Sequence, residues 1–189
     1  MAPIEPSDTK VRVKLFIAVT LDGFIAREDG SLDWLFELPN PDQTDHGFTK
    51  FIADMDTIVM GRKTYEEILG FGVEWPHPEC KTYVVTSNPD YLVKTENTFL
   101  MNSISTEELS LLRHGSRKNI WLAGGGEVIK HFLNLGEVDE MILNIIPVVL
   151  GKGIRLFMEG VAETRYDFEK AESFSTGVTN LHYIKRTNK

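Results

Sequence analysis

Three glycines in a row, Gly124, Gly125 and Gly126, sit where the apolar run Ile120–Ala123 gives way to helical spacing in Val128–Leu135. Residues without a Cβ let the backbone take unusual dihedrals and approach a ligand closely. A helix N-terminus adds unpaired N–H groups and the positive end of its dipole. The corner therefore reads as a seat for the pyrophosphate of a nucleotide. The competing reading is a tight turn with close helix–sheet packing. The run is neither G-x-G-x-x-G nor G-x-x-x-x-G-K-[ST], so neither common phosphate fingerprint applies.

A second corner, Met60 to Thr64, also follows an apolar run and opens a helix. Arg62 and Lys63 suit a ribose 2′-phosphate, through fork and point-charge contacts respectively. Thr64 and the N–H groups beside Gly61 suit a pyrophosphate oxygen. The helix dipole disfavours cations at a helix start, which points to an anion there; a solvated first turn is the alternative. Thr86 and Ser87 place two hydroxyls at a third strand end, a pattern that alone reads as a turn.

The elements that must position these corners are legible from periodicity. Val11–Thr20 is β-rich and apolar towards its end, as in a strand buried on both faces. Asp22–Gly23 marks a turn, and a loop with Trp34, Pro39 and Pro41 follows. Phe48, Phe51, Ile52 and Met55 recur at helical spacing. Thr57–Met60 reads as a strand, Arg62–Leu69 as a helix ending at Gly70, and Thr82–Ser87 as a strand. Residues 96–102 read as a short strand. Residues 105–115 read as a helix started by Ser105 or Thr106, with Glu108 in its first turn. Val138–Gly151 is a long strand, and two alternating runs about Gly177 form a hairpin. Strands alternating with helices and closed by a hairpin predict an α/β fold, a mostly parallel sheet with an antiparallel edge.

Composition narrows the function. The chain has 189 residues, 42% hydrophobic and 25% charged, which suits one globular domain over 11–189 after a loose arm at 1–10. A net charge of −8 with scattered Lys and Arg argues against a nucleic-acid partner. Met141–Leu150 is too short for a membrane span and is broken by Asn144 and Pro147. The N-terminus lacks a hydrophobic signal region. The single cysteine, Cys80, fits a cytoplasmic location. Five dispersed histidines give no metal-ligand pattern.

Taken in order, "AVTLDGFIA", "DTIVMGRKTYEEI", "TYVVTSNP", "WLAGGGEVIKHFL" and "VDEMILNIIPVVLGKGIRLF" resemble the dihydrofolate reductase-like superfamily. The closer match is the branch containing the C-terminal reductase domain of the bifunctional riboflavin biosynthesis protein. The resemblance covers nearly the whole chain and implies a three-layer α/β/α fold with NADPH as cofactor. It implies that Gly61, Arg62, Lys63 and Thr64 meet the adenosine side and pyrophosphate. Thr86 and Ser87 would line the 2′-phosphate or adenine region. Gly124, Gly125, Gly126, Glu127 and Val128 would wrap the pyrophosphate, and Ala18 would receive the nicotinamide carboxamide.

Two departures stand out. Phe24 occupies a stretch where relatives dedicated to riboflavin synthesis often carry Lys, and no basic residue is placed for a folate tail. Counting back from Gly61–Arg62 puts Asp45 at the superfamily's carboxylate position, with Asp42 the second choice. Asp45 is thus the candidate proton donor, its pKa raised by burial beside Trp34 and Phe48; a helix cap is the alternative. Asp22, Trp34, Phe48 and Lys152 are candidate pocket residues. Relatives also suggest a homodimer supported by the apolar strand Met141–Leu150. The expected activity is NADPH-dependent reduction of a small planar heterocycle, of pterin or pyrimidine type. The alternatives are 5-amino-6-(5-phosphoribosylamino)uracil reductase and a non-catalytic NADP-binding protein.

Overall fold

β-Branched and aromatic residues dominate the runs that become strands, and glycines or prolines punctuate them. A computed structural model describes residues 10–186. The arm expected over residues 1–10 lies outside them, Lys10 excepted. The elements in chain order begin with β1 (Val13–Thr20), β2 (Phe24–Ala26), α1 (Asp33–Phe36), α2 (Phe48–Ile52), β3 (Met55–Gly61) and α3 (Arg62–Gly70). They continue with β4 (Lys81–Val85), β5 (Thr98–Met101), α4 (Thr106–Gly115), β6 (Asn119–Gly124) and α5 (Gly126–Asn134). β7 (Glu140–Ile146), β8 (Ile154–Arg155), β9 (Tyr166–Ser173) and β10 (Thr179–Lys185) complete the chain.

Eight strands form one sheet in the order β5-β4-β3-β6-β1-β7-β10-β9. The six from β5 to β7 are parallel, and β10 joins β7 antiparallel, with β9 antiparallel to β10. The expected α/β architecture is therefore observed. β6 inserts between β3 and β1, so the chain reverses its direction of travel across the sheet there. In open α/β sheets, ligands bind outside the carboxyl ends of strands at such a reversal.

Alternation along the strands buries both faces. Leu15, Val59 and Leu122 pack with Leu109 and Leu112 of α4 and Ile129 and Phe132 of α5. On the other face Ile58, Met60 and Val84 pack with Tyr65 of α3. Each such fully buried side chain contributes about 1.5–3 kcal/mol. α4 begins as its sequence predicts: Ser105 accepts from the Glu108 N–H while the Glu108 side chain accepts from the Ser105 N–H.

Three expectations change. Met55 starts β3 rather than ending α2, which closes at Ile52. α5 begins at Gly126, two residues before the expected Val128. The long strand stops at Ile146, before Pro147. It lies inside the sheet with β1 and β10 on either side, so its apolar character reflects burial there and offers no free edge to a second copy. Missed altogether was the pair β2–β8, a two-stranded ribbon beside the main sheet.

Candidate functional site

β3 and β6 are neighbours, with Met60 opposite Gly124, so their carboxyl ends deliver the two glycine corners side by side. A Cβ placed on Gly61 would stand 3.2 Å from Val128 Cγ2 and 3.7 Å from the Gly125 nitrogen. One on Gly125 would stand 3.3 Å from Thr64 Oγ1. One on Gly126 would meet the Arg155 carbonyl at 3.1 Å and Met158 Sδ at 3.0 Å. Gly124 has φ +120°, a conformation side chains resist. The peptide between Gly124 and Gly125 is cis. The glycines thus let two helix starts come together.

Those helix starts are bare. α3 follows Gly61 and α5 follows Gly125, and neither has a side-chain cap, in contrast to α4. Their first-turn N–H groups and dipoles remain available to an anion. Thr64, half-buried, lies between the corners. Lys63 is exposed, and Glu127 is exposed on α5. Arg62 is not wholly free. Its guanidinium bonds the Glu66 carboxylate at 2.7 Å and lies 5.8 Å from the Tyr91 ring centre. An exposed i,i+4 pair of this kind contributes under about 1 kcal/mol, so a phosphate can compete for it. Thr86 sits at the end of β4 with its hydroxyl accepting from the Asn88 N–H, and Ser87 beside it is exposed.

Ala18 lies on β1 just past a divergence. β1 pairs with β6 only over Val13–Leu15, but with β7 out to Thr20. Beyond Leu15 the pairing of β1 with β6 ends, and Ile17 Cδ1 stands 3.7 Å from where a Cβ on Gly124 would be. Trp34 of α1, buried to 3% exposure, packs on Ile146 and Val178 near Ala18. It also lines an open cleft of about 470 Å³ with Arg27, Leu38, Pro147 and Thr176.

Asp45 does not meet the proton-donor expectation. It is exposed, and its carboxylate accepts from the N–H groups of Gly47 at 2.9 Å and Thr49 at 2.8 Å. The Thr49 side chain and these N–H groups hold its pKa below the usual carboxylate range. Phe48 packs in an aromatic cluster with Phe16, Phe51, Trp121 and His77. Asp45 therefore fastens the start of α2. Asp45→Ala should cost about 1 kcal/mol at pH 7. A lowered folded pKa gives stability that is present above the unfolded pKa and is lost as pH falls through the folded one. The gap between variant and parent in urea unfolding should accordingly narrow in acid.

The other two polar pocket candidates are engaged within the chain. Asp22 accepts from the Thr20 hydroxyl at 2.6 Å and from the N–H groups of Leu150 and Gly151, tying the β1–β2 turn to the segment after β7. The Thr20 hydrogen bond leads the effects that lower its pKa. Lys152 is exposed and pairs with Glu28 at 2.9 Å. Asp42, the second choice for the carboxylate, accepts from the Ser175 hydroxyl. Sequence reasoning passed over Asn144, noted only as a break in an apolar run, and Asn180; both are buried, Asn144 beside Ala18 and Asn180 on the far side of Asn144. A polar residue interrupting an apolar strand was the available signal. Among the described residues no cluster of three His, Cys, Asp or Glu could hold a metal ion. No helix among them is long and apolar enough to cross a membrane.

Residues 11–180 match the sequence profile of the RibD C-terminal domain. The chain belongs to the RibD C-terminal domain family. It is 39% identical to the uncharacterized Bacillus subtilis (strain 168) protein YwjB over 171 residues, covering 90% of this chain and 96% of YwjB. A crystal structure from Shewanella sp. PV-4, provisionally named a riboflavin biosynthesis protein, superposes with a TM-score of 0.85 at 29% identity. That match covers 94% of this chain and all of the other. Dihydrofolate reductase from Enterococcus faecalis, complexed with NADP(H), superposes at 0.68 with 21% identity over 94% and 98% of the chains. This RibD-type domain thus has the dihydrofolate reductase-like fold that the sequence resembles, with its glycine corners at the reversal point of the sheet.

Proposed function

We propose that this protein is an NADPH-dependent reductase of a small planar heterocycle, of pyrimidine or pterin type. The observation that carries the reading is the pair of uncapped helix starts, α3 and α5, brought together by Gly61 and Gly125. That corner fits a pyrophosphate: it has free N–H groups, glycines that a Cβ would crowd, and cations on one side. The Enterococcus faecalis enzyme, which shares the fold, is complexed with NADP(H), and this supports the reading.

NADPH, when bound, supplies the hydride. The chain's part is binding, orientation and exclusion of water. First-turn N–H groups of α3 and α5, with Thr64, hold the pyrophosphate. Arg62 and Lys63 hold the 2′-phosphate, with Thr86 and Ser87 beside them. The backbone at Ala18 orients the carboxamide beside the end of β1, and Trp34 screens the site from water.

Arg62→Ala combined with Lys63→Ala should weaken NADPH by about tenfold or more and NADH far less, since only NADPH carries the 2′-phosphate. Nicotinamide fluorescence titration measures both. Equal losses would remove the 2′-phosphate assignment.

A further inference from the structure

The cleft beside Trp34 has a volume of about 470 Å³, inside the roughly 300–1,000 Å³ of small-molecule sites. Its walls come from two distant segments. Trp34, Leu38 and Pro39 lie in and just after α1, and Pro147 to Leu150 follow β7. Trp34, Leu38 and Leu150 share one apolar cluster with Ala18, so the cleft adjoins the end of β1. The second wall is pinned. The Val148 carbonyl accepts from the Leu21 N–H at 2.9 Å, and the Asp22 carboxylate accepts from the Leu150 N–H at 3.2 Å.

Charge around the cleft is one-sided. Arg27 is the one cation among its lining residues. Asp33 accepts from Arg27 Nε at 2.7 Å and from Nη2 at 2.8 Å, which fills one edge of the guanidinium. That hydrogen bond, and then the charges of Asp33, Glu37 and Asp29, hold the Arg27 pKa above its ordinary value. Glu37 itself lines the cleft. Lys152, two residues past Leu150, is paired with Glu28 at 2.9 Å. Arg27 and Lys152 thus stand among Asp22, Glu28, Asp29, Asp33 and Glu37. The glycine corners differ: Arg62 pairs with Glu66 alone, next to Lys63 and two uncapped helix starts. An anionic group gains at those corners and loses at this cleft.

We propose that this cleft selects a heterocycle whose substituent is apolar and carries no negative charge. The proposal rests on the reductase reading and narrows its substrate class. A ring with a phosphorylated or carboxylate tail meets an acidic rim whose cations are already paired. An alkyl or aryl substituent lies instead against Leu38, Pro147 and Leu150. Each methylene buried there strengthens binding by about fourfold.

The test is calorimetric titration of the full chain, with and without saturating NADP+. Two length-matched pairs serve as probes: 6-propylpterin with 6-(2-carboxyethyl)pterin, and 6-(propylamino)uracil with 6-(2-carboxyethylamino)uracil. The propyl member of at least one pair should bind, with its carboxylate partner about 30-fold weaker at low salt. The gap should narrow at about 0.5 M salt. Asp33→Asn combined with Glu37→Gln should strengthen the carboxylate probe by about tenfold and leave the propyl probe unchanged. Leu38→Asn should weaken the propyl probe by about tenfold. NADP+ affinity equal to the parent's reports that these variants fold. Binding of neither propyl probe, or equal or tighter binding of the carboxylate partner, overturns the proposal. So does undiminished propyl binding by folded Leu38→Asn, or a gap that neither salt nor the rim variant narrows. If the variants fail to fold, the paired comparison and its salt dependence on the parent protein decide alone. A parent protein that binds no NADP+ counts instead against the reductase reading, and the titration without NADP+ still reads the preference of the cleft.

Discussion

Thr64→Asp is expected to lose about 100-fold or more in NADPH affinity while the fold stays intact. Thr64 is the third residue of α3, and its hydroxyl lies 3.3 Å from where a Cβ on Gly125 would stand. Aspartate is close to threonine in size, and a carboxylate in a first turn is favoured by the helix dipole. The substitution therefore leaves α3 content. It also fixes a negative charge between the two corners. Two unit charges 4–5 Å apart at an effective dielectric of about 20 repel by roughly 3–4 kcal/mol, enough for a loss of this size. Fluorescence titration alongside thermal melting separates the effects. Unchanged affinity in a folded variant would mean that the pyrophosphate does not lie between the corners.

Gly153→Ala is expected to destabilise the protein by about 3 kcal/mol or more. Gly153 has φ +156°, and a Cβ there would run into the Ala26 carbonyl oxygen. That oxygen is backbone, so it cannot swing away as a side chain would. The clash falls where β2 pairs with β8, and Leu156 just beyond donates its N–H to the Gly23 carbonyl while its side chain is buried. β8 also backs the start of α5, since the Arg155 carbonyl lies against Gly126. Gly151→Ala is the comparison: φ is +77° there, but nothing lies within 4 Å of the added carbon. It should cost about 1 kcal/mol from backbone strain alone. Urea unfolding of the two variants distinguishes clash from strain; equal small losses would show that β2 and β8 move apart freely.

How much of this was legible in the sequence depended on range. The glycine corners and the α4 cap are local features, and both were read correctly as elements. β2 and β8 have three and two residues, too few to show a period. Met55 looked helical because its spacing from Ile52 is three, yet β3 needs it as its first buried residue. Asp45 illustrates a different limit. Its position in the chain matched the superfamily carboxylate, but burial is tertiary, and the Gly47 and Thr49 N–H groups claim it at the surface. The facing of Asn144 and Asn180 required the β7–β10 register, which spans 36 residues and includes two intervening strands.

The most direct test is a crystal structure of the full chain with NADP+. The account predicts pyrophosphate oxygens within hydrogen-bond distance of backbone N–H groups from both Gly61–Thr64 and Gly125–Val128. Cofactor bound against only one corner, or elsewhere on the surface, would contradict it, as would absence of NADP+ from crystals grown at millimolar concentration.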